Sequence, residues 1–121
     1  MNESILTTVK KLLGIAEEYE HFDADLILHI NTFITRLWQI GVGKQGFYIE
    51  DKTATWHDLL GDDEIKLQQA KNYIATRVRL VFDPPQNGSA SKALEELSKE
   101  LEWLLMVDAS PSLDEVSWGH D

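Results

Sequence analysis

The sequence has 121 residues, 43% of them hydrophobic, and a formal net charge of -10 from 21 acidic and 11 basic side chains. That size suits one ordinary domain with a real core, and no apolar run approaches the ~18 to 20 residues of a membrane span. The acidic excess excludes broad charge attraction to a phosphate backbone, and the lack of cysteine excludes a disulfide framework and thiolate chemistry.

The opening residues, MNESILTTVKKLLG, lack the basic, apolar, small-residue layout of a signal peptide, so a cytoplasmic or virion setting is expected. A first helix is predicted over Glu3 to Leu13, capped by Ser4, with Ile5, Val9, Leu12 and Leu13 on one face and Gly14 as a left-handed stop. After an acidic connection, a second helix begins at Asp23, whose carboxylate is placed to accept from the first-turn N–H groups. Phe22 and Ile27 are spaced as a hydrophobic staple. Leu26, Ile30, Phe33, Leu37 and Ile40 repeat at steps of four and three, and Ile27, Ile34 and Trp38 widen the stripe, so more than one side is expected to be covered. Gly41 ends the helix.

From Gly41 to Thr55 the helical period is lost. FYIE and TATW flank Asp51-Lys52, which reads as a short β-hairpin or an extended excursion that must pack on the helices or on another subunit. Trp56 to Leu60 makes about one helical turn, closed by Gly61. A third helix is expected from Asp62 to Phe82, its three opening acids favoured by the helix dipole, with Ala70, Ile74, Val78 and Phe82 spaced by four. Pro84 forces a stop at Asp83, and Pro85 reinforces it; Asn87-Gly88 supplies the turn. The fourth helix begins near Ser89 or Ser91 and runs to about Met106, with a coiled-coil-like seam at Leu94, Leu97, Leu101 and Leu104. The fold class is therefore all-α, a four-helix, bundle-like subunit over residues 1–107, and residues 108–121 form an acidic, flexible tail.

No arrangement asks for catalysis. His21, His29, His57 and His120 lack metal-ligand spacing, and His57-Asp58 has no nucleophile marked beside it. Asp62-Asp63 is not part of a calcium loop. Gly41, Gly43 and Gly46 follow a helix and lack the Lys-Ser/Thr of a phosphate loop. No cofactor or metal is expected. Two features exceed a plain core. Arg77 and Arg79 interrupt the apolar end of the long helix, either as solvated side chains or as partners for acids on a neighbouring subunit. Trp103 lies one position off the leucine seam, either as a core-edge aromatic or as an interface anchor.

SILTTVKKLLGI, HFDADLILHINTFITRLWQIGVG, the Trp-x-Asp-Leu-Leu of residues 56–60 and, most specifically, AKNYIATRVRLVFDPPQNGSASKALEELSKELEWLL at 70–105 together resemble the head–tail connector proteins of long-tailed bacteriophages. The resemblance spans roughly residues 4–105. It implies a helical subunit, without enzymatic activity or cofactor, that assembles with itself as a ring of about a dozen copies. That ring sits below the portal protein, carries the tail or a stopper protein, and lets DNA pass through its lumen without specific binding. It implies residence in the virion neck, reached from the host bacterial cytoplasm during assembly. The Phe82-Asp83-Pro84-Pro85 corner then positions the last helix against a neighbour or the portal, which makes Arg77, Arg79, Phe82, Pro84, Pro85, Leu101 and Trp103 the candidate interface residues. Two other readings stand beside it: a soluble helical adaptor that binds one partner helix along the Leu94–Leu104 seam, and a small enzyme or metal-dependent protein using His57 or the acidic groups.

Overall fold

The computed structural model describes residues 3–109, of which five helices are the regular elements: α1 Ile5–Leu12, α2 Asp23–Gln39, α3 Trp56–Leu60, α4 Glu64–Phe82 and α5 Gly88–Ala109. The last helix extends past Met106, and the expected acidic tail lies, from residue 110 on, outside the described residues.

Local chemistry sets most of the boundaries. The Ser4 hydroxyl accepts from Thr7 N–H at 3.1 Å and caps α1. Gly14 and Gly41 end α1 and α2 with φ of 81° and 93°. Each is followed by the 6→1 hydrogen bond of a Schellman ending, from Ile15 N–H to Lys10 O and from Val42 N–H to Leu37 O, both 2.8 Å. Thr55 and Asp58 close a reciprocal capping box on α3. Asp63 accepts from Lys66 N–H at 3.1 Å, so α4 starts one residue past its cap.

Asp23 departs from expectation. It is the first residue inside α2, and no side chain caps that helix. Its carboxylate instead pairs with the Lys10 ammonium at 2.8 Å. Lys10 is buried and also donates to Glu17 O at 2.9 Å. A buried ammonium needs a counter-charge more than an exposed helix end needs a cap. Phe22 and Ile27 do pack against the core as half-buried residues.

The β-hairpin between α2 and α3 does not form. Among the described residues this stretch is turns and bends, and strand-like pairing is limited to one antiparallel bridge between Ser4 and Thr55. Asn31 of α2 supplies what a partner strand would have given: its amide donates to Ile49 O at 3.0 Å and accepts from Ile49 N–H at 2.7 Å. The loop is thereby held flat on α2, and Val42 and Ile49 enter the core. Asp51 accepts from Thr53 N–H at 2.8 Å, an Asx turn rather than a hairpin tip.

The central helix is α4, which touches each of the other four helices. Its Ala70, Tyr73, Ile74 and Val78 are buried against Leu26, Ile30, Phe33 and Leu37 of α2 and Ile5 and Val9 of α1 within one apolar cluster. Trp56 stands fully inside that cluster, and its indole N–H donates to Thr8 Oγ1 at 3.1 Å. The last helix folds back along α4, so that Arg77 lies opposite Ser98.

A candidate interaction surface on the α4–α5 hairpin

The corner that closes the hairpin is built from residues 83–87. Phe82, at the end of α4, is half-buried, and its ring meets Phe22 edge-on, 5.1 Å between centroids and 76° between planes. The corner is thereby tied to the N-terminus of α2. Pro84 is exposed and Pro85 half-buried. The next helix starts earlier than its serines predict. Asn87 is the capping group, its Oδ1 accepting from Ser89 N–H at 2.8 Å and Ala90 N–H at 3.1 Å. Gly88 is therefore the first helical residue of α5 rather than part of a separate turn.

Arg77 is half-buried, and its guanidinium is engaged within the subunit. Its guanidinium stacks over Phe33, 4.8 Å to the centroid, and lies 5.9 Å from the Tyr73 ring, while Nη1 donates to Ser98 Oγ at 3.3 Å. It thus joins all three long helices by cation–π and hydrogen-bond contact. Beside it the Arg36 guanidinium of α2 forms an ion pair with the Glu102 carboxylate of α5. Tyr73 is fully buried between these charges, and its hydroxyl has no protein hydrogen-bond partner; Arg36 lies near without reaching hydrogen-bonding geometry. Burial, then the Glu102 carboxylate, push its phenol above the usual tyrosine value, and the two arginines partly oppose them. Two open clefts flank Arg77. One, of about 470 Å³, is lined by Thr32, Phe33, Arg36 and Gln39; the other, of about 320 Å³, by Leu80, Ser91, Glu95 and Ser98.

The leucine seam is turned by one position relative to the sequence reading. Leu105 is fully buried and Ser98 is 1% exposed, whereas Leu97 is 43% exposed. The line against α4 therefore runs Leu94, Ser98, Leu101, Leu105, with Leu101 half-buried on the core. Ser98 belongs on it because Arg77 needs an acceptor there, a tertiary demand with no apolar signal in the sequence. Trp103 is 56% exposed on the opposite side, with Met106 also exposed, so the core-edge placement does not hold. Arg79 is exposed and lines a shallow cavity of about 190 Å³ with Leu12, Leu13 and Leu94.

Of the seven expected interface residues, Arg79, Pro84 and Trp103 thus lie exposed, and Arg77, Phe82, Pro85 and Leu101 are partly or mostly enclosed by the hairpin's own packing. Sequence reasoning singled out Glu102 beside Trp103 but missed Arg36 and the pairing of the two, 66 residues apart; no local spacing joins them. Among the described residues no group of three or more His, Cys, Asp or Glu is placed to hold a metal ion, and no helix is long and apolar enough to cross a membrane.

No curated protein and no solved structure matches the chain. The family model of the phage connector proteins matches it over residues 5–112. That span contains α1 to α5 complete, including the proline corner and the exposed face of the last helix, and it is most of the sequence. The chain belongs to the phage connector protein family.

Proposed function

We propose that this chain is a structural subunit of the neck of a tailed phage or prophage. About a dozen copies close into a ring that sits under the portal protein and receives the tail or a stopper protein. Double-stranded DNA passes through the lumen without specific binding. The work is assembly rather than turnover, done in the virion and, before that, in the host cytoplasm.

The observation that supports this reading is the outer face of α5. Trp103 and Met106 are exposed there, in a chain whose core is already filled without them. A large aromatic on an otherwise charged surface is what an interface anchor looks like. Arg79, Pro84 and Trp103 would supply contacts. Arg77, Phe82, Pro85 and Leu101 would act through the hairpin, by fixing where α5 stands relative to α2 and α4.

Native mass spectrometry over a concentration series, with negative-stain images of the same samples, tests this. Closed rings, alone or after a portal from the same phage is added, are the expected result. A monomer that ignores both concentration and portal sinks it and leaves the helical-adaptor reading.

A further inference from the structure

A ring needs two different patches per subunit, one to give and one to receive, because a head-to-tail contact joins unlike surfaces. The α5 face is a candidate for only one of them. The second lies on the far edge of α2. There Ile34, Trp38, Lys44 and Phe47 line a groove of about 290 Å³. Trp38 is exposed in its wall, and Ile34 forms its buried floor. The groove exists because the Asn31 side chain holds Ile49, and with it the 44–49 loop, against α2.

The two patches cannot be halves of one surface. On α2, Phe33 and Arg36 face the hairpin through Arg77 and Glu102. Asn31, Ile34 and Trp38 project from the opposite edge of the same helix, toward the loop. The body of α2 separates them. Their chemistry is complementary. Trp103 protrudes from a helix surface that also carries Glu100 and Glu96, one turn and two turns before it. The receiving groove has an aromatic wall and the Lys44 ammonium at its rim.

We propose, resting on the ring reading above, that Trp103 of one copy enters the Ile34–Trp38–Phe47 groove of the next, with Glu100 set against Lys44. The partner is a second copy of this chain in head-to-tail orientation. Indole against indole and phenyl walls gives the offset or edge-on aromatic contact that outlasts simple area burial. The acid–base pair at the rim sets orientation more than affinity.

The native sequence has no cysteine, which allows a clean cross-linking test. Glu100→Cys and Lys44→Cys are made as separate full-length variants, mixed, and treated with a short bis-maleimide. The expected result is a cross-linked dimer at least ten-fold more abundant in the mixture than in either variant alone. In parallel, Trp103→Ala should shift the assembly midpoint to at least ten-fold higher concentration while its circular dichroism stays that of the parent. Glu100→Lys should weaken assembly, and Lys44→Glu mixed with it should restore it. Rings that form without the cross-link and survive Trp103→Ala overturn this pairing and leave the ring itself standing. Cross-linking of a single variant to itself overturns the head-to-tail geometry. Absence of any oligomer, with or without portal, overturns both readings.

Discussion

A single side chain settles one question that spacing alone answered differently. Lys10 is buried and paired with Asp23. Asp23→Ala would leave the ammonium enclosed with only Glu17 O to accept from it. We expect a loss of about 3 kcal/mol in urea unfolding, at the low end for a broken buried pair. Lys10→Met should cost less than half as much, because the Asp23 carboxylate can reach water; equal losses would show that the pair has no special standing. Tyr73 gives the reverse case. Its hydroxyl has no protein partner, so Tyr73→Phe should cost less than the ~1 kcal/mol of an ordinary buried hydrogen bond at neutral pH. Its pKa is raised above 10.0, so the folded state keeps the proton that the unfolded state releases. The sign follows: the stability it contributes is intact below pH 10.0 and lost as pH rises through the folded value. Titrating urea stability across that range should show a steeper decline for the parent than for Tyr73→Phe. Ser4, Gly14 and Gly41 were legible because a cap or stop involves backbone three to five residues away. The Asp23 pairing was not, because its partner comes from another helix.

At the scale of elements, four of the five helices and the proline stop follow from periodicity and breakers in the sequence. The register of α5 does not. A leucine at every third or fourth position admits two seams, and Leu97 with Leu104 or Ser98 with Leu105 differ by one residue. What chose between them was Arg77, which takes its place between Phe33 and Ser98 and turns α5 accordingly. Leu105→Ala should therefore destabilise by about 2 to 5 kcal/mol, and Leu97→Ala by no more than about 0.5 kcal/mol. Chemical denaturation of the two variants reads this directly, and the opposite order would restore the seam expected from sequence. The missing hairpin has a similar origin. Alternating residues in FYIE permitted a strand, but no second strand lay alongside, and a side-chain amide took its hydrogen bonds instead.

For the whole molecule, charge is the property most visible in the sequence and least dependent on the fold. A formal charge of -10 per chain repels polyanions, and repetition in an assembly strengthens the field. We expect no retardation of duplex DNA on a gel at moderate salt; tight, salt-sensitive binding would contradict the proposed lumen through which DNA slides. The family relation was also legible in the sequence, in the ordered run from Ala70 to Leu105. The receiving groove was not, since Ile34, Trp38 and Phe47 meet only after the loop has folded onto α2.

The Asn31–Ile49 contact has one more outcome, on the timescale of amide exchange. Ile49 N–H is buried and bonded to a side chain of a long helix, while its neighbours Tyr48 and Glu50 are exposed. Deuterium uptake across residues 48–51 should then show a single protected amide inside a rapidly labelled loop. Asn31→Asp keeps the acceptor but sets a carboxylate oxygen against Ile49 O in place of the amide donor, so it should lose part of that protection; Asn31→Ala should erase it. The same peptide would thus report, one proton at a time, whether the loop is seated.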